Sequence, residues 1–173
     1  MTGDHYALFD SPVGTLWVTA NPDGVTSLHM LDDAPSDDRL VGFAHAPGRL
    51  SHVRDQLDAY FAGERYAFDL KLVPQGTPFQ RSVWAQLERI PFGTTASYGE
   101  IARRIGNPKA MRAVGMANNA NPISIIIPCH RVIGADGSLV GFGAGLARKR
   151  ALLAHESGQQ VAPEQTRFNF GQP

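Results

Sequence analysis

Residues 97–117 read SYGEIARRIGNPKAMRAVGMA, and this stretch decides the architecture of the half of the chain that contains it. Ser97 followed three residues later by Glu100 is a capping box, in which each partner satisfies a free amide of the other at a helix start. Ile101, Ala102 and Ile105 then form the inward face of a short helix that Gly106 closes. Asn107 and Pro108 open the next helix, through Met111, Val114 and Ala117. Two short helices joined by a tight glycine turn make a helix-turn-helix, whose second helix is the one that meets nucleic acid. That helix is small on one side, with Ala110, Ala113, Gly115 and Ala117, and carries Lys109 and Arg112 near its start. Small residues let the backbone approach a phosphate surface and the two cations attract it; the same residues also suit close helix packing, and the pattern alone leaves both uses open.

Upstream, Thr77, Pro78 and Gln80 repeat the start signal with a proline at the first helical position, and Phe79, Val83, Trp84, Leu87 and Ile90 supply an apolar face up to Pro91. Downstream, the β-branched run Ile123–Ile127 predicts a buried strand that delivers Pro128, Cys129, His130 and Arg131 at its end. Arg131–Ile133 and Ser138–Val140 flank the turn residues Gly134–Gly137 and predict a hairpin. A glycine-rich loop, Gly141–Gly145, leads into a last helix from Leu146 to His155 or Glu156, and residues 159–173 are expected to be a flexible tail.

The first half reads differently. Tyr6–Phe9, Leu16–Thr19 and Val25–Met30 are short β-rich runs separated by turn signals at 11–14 and 21–24, an antiparallel meander. Residues 32–47 read as a loop. Leu50, Val53, Leu57, Tyr60 and Phe61 recur at helical spacing, and the alternation of Phe68, Leu70 and Leu72 predicts a final strand. No catalytic constellation stands out here. The expected fold is therefore α/β of the α+β kind: a small β-sheet plus helix domain over 1–74, then a mainly helical, winged helix-turn-helix-like domain over 75–158.

Composition narrows the function. The 173 residues are 43% hydrophobic and 18% charged with a formal net charge of zero, which excludes a disordered polyelectrolyte and a uniformly basic nucleic-acid coat. The longest aliphatic run, Ile125–Ile127, is far short of the roughly 20 residues that span a bilayer, and no secretory signal is read at the start, so a cytoplasmic protein that does not meet a membrane is expected. The zero balance hides an asymmetry: residues 1–75 carry 5 Lys+Arg against 11 Asp+Glu, and residues 76–173 carry 11 against 5. Such a split makes an anion-binding face on the second half plausible, against the plainer reading of solvated charges.

Cys129 is the only cysteine, so neither an internal disulfide nor a multi-thiolate zinc site exists, and no metal is expected. If it reacts, it reacts as thiolate, which needs a base or a positive field nearby. His130 and Arg131 are adjacent. Neighbours in an extended segment point to opposite faces, so a Cys129–His130 pair requires a turn or a bridging water, and Glu156 on the last helix is a candidate to orient the imidazole. The competing reading is an inert buried cysteine beside a surface histidine.

The heptad Ile127–Ile133, IPCHRVI, resembles the active-site signature of the O6-alkylguanine-DNA alkyltransferases, the methylated-DNA repair proteins. The likeness extends in order through Tyr98–Ala102, Arg112–Gly115, Asn121–Pro122, Gly141–Leu146 and Leu152–Glu156, covering about residues 77–157. The resemblance implies a single-turnover cysteine S-methyltransferase: Cys129 takes the alkyl group from O6 of a damaged guanine, chiefly O6-methylguanine, and keeps it. His130 acts through a water as the base and Glu156 holds it. Tyr98 donates to N3 of the leaving guanine, Asn121 ties the helix-turn-helix to the active-site segment, and the Gly143 amide and the Cys129 and Val132 carbonyls contact the base. Arg112 takes the place of the flipped nucleotide, while Lys109, Ala113 and Gly115 lie against the minor groove of double-stranded DNA. A monomer without cofactor is implied.

Three positions depart from the family pattern. Phe142 stands where a tyrosine is usual, keeping a wall role without the hydroxyl; Ala144 replaces a common glycine; Asn118 replaces an apolar pocket residue found in some members. Two other functions fit parts of the pattern: a protein that grips damaged DNA without repairing it, which the presence of Cys129 opposes, and a thiol hydrolase, for which the helix-turn-helix would have no purpose.

Overall fold

Strands β1 (His5–Ser11), β2 (Gly14–Asn21) and β3 (Gly24–Leu31) form the expected antiparallel meander, and the two-residue β4 (Ala44–His45) lies parallel to β1, giving the order β3-β2-β1-β4. These are features of a computed structural model that describes residues 3–158; the expected tail lies outside them. The Asn21 side-chain oxygen accepts from the amides of Asp23 and Gly24 and so builds the β2–β3 turn. Gly24 is required there: its φ is +152° and a Cβ would lie 2.4 Å from the Lys71 carbonyl oxygen.

That close approach explains why the strand expected around Phe68–Leu72 shrinks to one parallel bridge between Val25 and Leu72. Val25 bonds Lys71 and Val73, but three residues on, Leu28 bonds the carbonyl of Pro122 and the amide of Ser124. The outer edge of β3 is divided between two segments. The predicted loop at 32–47 holds a four-residue helix α1 (Asp37–Leu40) and β4. Helix α2 (Ser51–Phe61) buries Val53, Leu57 and Tyr60, as its spacing required.

Both capping boxes form with both of their bonds. Thr77 and Gln80 start α3 (Pro78–Leu87), which ends before Ile90, and Ser97 and Glu100 start α4 (Tyr98–Arg104). Helix α5 (Met111–Asn119) begins later than Asn107-Pro108 suggested. Ala110 bonds back to Asn107 in a separate turn, because the chain must reverse before Val114 and Ala117 can pack inward; Lys109 therefore precedes the helix and does not ride on it. Trp84, fully buried, donates its indole N–H to the Ala117 carbonyl at 2.8 Å and locks α5 onto α3.

The two further corrections lie next to Cys129. Ile123–Ile127 is not a strand. The Asn121 side chain accepts from the Ile123 amide and donates to the Ile127 carbonyl, folding the run into turns, and Ile125 takes φ +71°, costly for a β-branched residue. The hairpin also fails: β6 (Val132–Ile133) pairs parallel with β5 (Ala96–Ser97), and residues 138–140 form no strand. The Val140 carbonyl is instead taken by the Tyr98 hydroxyl and the Lys149 ammonium. Helix α6 (Leu146–Ser157) closes the fold, and the buried side chains of both halves make one continuous core. Among the described residues no helix is long and apolar enough to cross a membrane.

Candidate active site around Cys129

Cys129, His130 and Arg131 form a single 3-10 turn, with all three side chains buried and Cys129 3% exposed. The turn replaces the strand end on which neighbours would diverge. His130 Nε2 lies 2.7 Å from Glu156 Oε1. Arg131 grips the same carboxylate with two N–H groups at 2.8 Å and donates a third to the Ile90 carbonyl. The Tyr60 hydroxyl donates to Glu156 Oε1 at 2.8 Å and the Gly93 amide to Oε2 at 3.3 Å. One buried carboxylate thus accepts from α2, from the turn after α3 and from the Cys129 turn at once.

The charges follow from this geometry. Burial alone would raise Glu156, but hydrogen bonds from His130 and Arg131 and the charge of Arg131 outweigh it and hold the carboxyl well below its usual range. His130 is pushed below its ordinary value by burial, partly offset by Glu156, so it rests neutral. With an ionised carboxylate at Nε2, the imidazole proton sits on Nε2, and Nδ1 carries the lone pair. Nδ1 is buried with no hydrogen-bond partner among the described residues, which leaves the basic nitrogen free to take a proton. Burial also raises the Cys129 thiol; the Asn121 side chain, Lys149 and nearby backbone amides pull it the other way.

Acid should therefore weaken the fold in two steps. Below about pH 6.5 an unfolded His130 takes up a proton that the folded imidazole refuses, and below about pH 4.3 an unfolded Glu156 does the same. In both windows the unfolded chain binds more protons, so stability falls as pH falls. The urea midpoint is expected to decline from about pH 7 to 5 and more steeply below about pH 4; a flat midpoint over that range contradicts the arrangement.

Cys129 opens on a cavity of about 400 Å³ whose wall includes Asn118, Ser124, Phe142, Gly143 and Ala144, with His29 and Arg39 from the first half. Asn118 donates to the Cys129 carbonyl at 3.3 Å and keeps its buried Oδ1 without a partner. A shallower groove of about 730 Å³ is lined by Tyr98, Arg112 and Gly115, and Asn119 lines both. Gly115 is turned toward the Tyr98 ring, which a Cβ there would meet at 3.8 Å, so its smallness serves this contact as well as the surface. Arg112, Ala113 and Lys109 are exposed. The Val132 carbonyl accepts from Lys149 at 2.6 Å.

Comparison with known proteins agrees with this arrangement. The family model of the 6-O-methylguanine DNA methyltransferase DNA-binding domain matches residues 78–158, and that of the ribonuclease-like domain of the same proteins matches residues 5–74. The chain belongs to the 6-O-methylguanine DNA methyltransferase family. Within it, the methylated-DNA–protein-cysteine methyltransferase of Mycobacterium tuberculosis is 51% identical over 158 residues, 91% of this chain and 95% of that protein. The protein of the same name from Methanosarcina acetivorans is 47% identical over 152 residues, 88% and 97% of the two chains. The crystal structure of Mycobacterium tuberculosis OGT in complex with DNA superposes with a TM-score of 0.84 at 49% identity, covering 93% of this chain and 98% of that one.

Cys129, His130 and Glu156, singled out by sequence, meet in one place. Two residues in that network were not singled out as catalytic by sequence: Tyr60 was read on the apolar face of a helix and Arg131 as a neighbour of the thiol, while Lys149, beside them, was not singled out at all.

Proposed function

We propose that this protein repairs DNA by moving the alkyl group of O6-alkylguanine, chiefly O6-methylguanine, onto its own Cys129 in a reaction each molecule performs once. The observation that carries the reading is a buried cysteine on a cavity, in the same turn as a histidine whose far nitrogen is held by a carboxylate. His130 Nδ1 accepts the thiol proton through a water; the thiolate attacks the alkyl carbon, the S–C bond forms as the C–O6 bond breaks, and the guanine leaves with its electron pair. Tyr98 supplies a proton to N3 so that a neutral base departs; its hydroxyl must exchange the Val140 carbonyl for the base to do so. Atoms and electrons balance without a cofactor.

The base lies against Phe142, with the Gly143 amide at O6 and the Cys129 carbonyl and the Asn118 Oδ1, without a partner among the described residues, as acceptors for its exocyclic amine; the Val132 carbonyl, outside the cavity lining, must exchange Lys149 for the base to join them. Residues 75–158 hold the duplex and the acceptor thiol, and residues 1–74 brace the site through Tyr60. In this reading the monomer places α5 in the minor groove, where readout is degenerate and damage can be met in any sequence. Asn121 keeps the segment between α5 and Cys129 in register.

The direct test follows a duplex with one radiolabelled O6-methyl group. Label moving into the protein is expected; label staying on the DNA overturns the reading. Arg112, exposed beside the groove, fills the place of the flipped nucleotide. Arg112→Ala should slow repair of duplex DNA roughly ten- to a hundredfold, consistent with an unstacking cost of a few kcal/mol, while reaction with the free O6-methylguanine base stays unchanged. Equal loss on both substrates removes Arg112 from that role.

A further inference from the structure

Lys149 is fully buried on α6, and among the described residues no carboxylate pairs with it. Its ammonium is held by two neutral acceptors, the Val132 carbonyl at 2.6 Å and the Val140 carbonyl at 3.1 Å. A buried cation without a counter-charge is costly and rare, so its position calls for a reason. Three observations supply one. Val132, whose carbonyl the ammonium holds, directly follows the Cys129–Arg131 turn and donates its amide to the Cys129 carbonyl, so that a charge on the ammonium favours ionisation of the thiol. The ammonium lies 5.9 Å from the ring centroids of both Tyr98 and Phe142. The Val140 carbonyl that it holds is also the acceptor of the Tyr98 hydroxyl, at 2.8 Å.

We propose that Lys149 is a positioning residue for the alkyl transfer, serving as the standing counter-charge for the Cys129 thiolate and, through Val140, holding the Tyr98 hydroxyl only in its resting position until the base displaces it. The other groups around the thiol do not fill this place. His130 and Arg131, on its own turn, are committed to Glu156 on α6, while Tyr98 on α4, Asn118 on α5 and Asn121 are neutral. When the Cys129 proton passes toward His130, an anion appears on a side chain that is 3% exposed. Arg39, which also lines the cavity, is exposed and lies over the Trp17 ring; Lys149 is the buried cation beside the thiol that has no carboxylate partner among the described residues, and it compensates the anion. In the resting thiol form the charge stays uncompensated, and burial lowers the lysine's own proton affinity.

The proposal rests on the alkyl-transfer reading, and its test separates the two. Cys129 ionisation is followed by the rate of its modification with iodoacetamide against pH, with no alkylguanine present, in wild type, Lys149→Met and Lys149→Arg. Lys149→Met should move the midpoint up by about one unit or more, which cuts the rate near neutral pH about tenfold and restores it at high pH; Lys149→Arg should keep the wild-type profile. A uniform fall at every pH with an unmoved midpoint means that Lys149 is only a clamp, and overturns the counter-charge. If Lys149→Met does not fold, the same coupling is read in wild type by carbon NMR of the lysine Cε. Once Cys129 is methylated and cannot ionise, Lys149 should lose its proton at lower pH than before; identical titrations overturn the proposal. A wild type that shows the iodoacetamide profile but takes no methyl group from DNA sinks the repair reading alone.

Discussion

Cys129→Ala is expected to abolish transfer of the methyl group while duplex affinity stays within about twofold. The thiol is the one cysteine of the chain and lines the cavity, and its loss leaves the network behind it untouched: Glu156 keeps all of its donors, and Asn121 still brackets residues 123–127. The turn is set by backbone bonds from Cys129 to Ile127 and from Arg131 to Pro128, which the substitution keeps. DNA contact is assigned to exposed α5 residues, remote from the deletion. Single-turnover transfer and a gel-shift titration on one preparation check both halves; residual transfer at even a tenth of the wild-type extent would mean a different acceptor.

Glu156→Ala should be the most damaging single change to stability. Its carboxylate accepts from Tyr60, His130, Arg131 and the Gly93 amide, and removal leaves the Arg131 guanidinium buried without a counter-charge. Breaking a buried pair from one side costs about 3–5 kcal/mol, and for a chain of this length that lowers the melting midpoint by roughly 10 °C. Because Tyr60 comes from α2, the loss should be felt in both halves and unfolding should stay a single transition. Glu156→Gln keeps the shape and should lie between the two. A midpoint within about 2 °C of wild type would mean that the five-bond hub is not what joins the halves.

What the sequence disclosed was local. The capping boxes at Thr77–Gln80 and Ser97–Glu100 and the Asx turn at Asn21 are made by residues within three positions of one another, so their geometry is written in consecutive letters. Ile123–Ile127 misled because β propensity describes how a side chain suits a pleated surface, whereas this run is governed by the Asn121 amide, which claims both of its ends, and by the edge of β3, which accepts only Ile123 in a bridge. The Cys-His-Arg motif named the nucleophile and its neighbours but not their arrangement, which depends on a 3-10 turn in place of a strand end.

Long-range partners were the least legible. Tyr60 sits at a core position of an amphipathic helix, and it is a core residue, yet its hydroxyl finds Glu156 96 positions later. Arg148, Lys149 and Arg150 are three consecutive cations on α6, which turns the first two inward and leaves the third exposed. Arg148 then ties the Val13 carbonyl and Asp32 of the first half to the Ala144 carbonyl of the glycine-rich loop. The acidic half, where no catalytic constellation was expected, supplies a wall of the cavity and a donor to the hub.

The central claim is an irreversible, stoichiometric transfer to one atom, and mass measurement addresses it directly. The protein is incubated with excess duplex carrying a single O6-methylguanine, weighed intact, digested and mapped. The account predicts a gain of one methyl group per chain, located on Cys129 and not increasing with further substrate. A mass that stays unchanged while the protein remains bound to the duplex, or a methyl group found on any other residue, would contradict it.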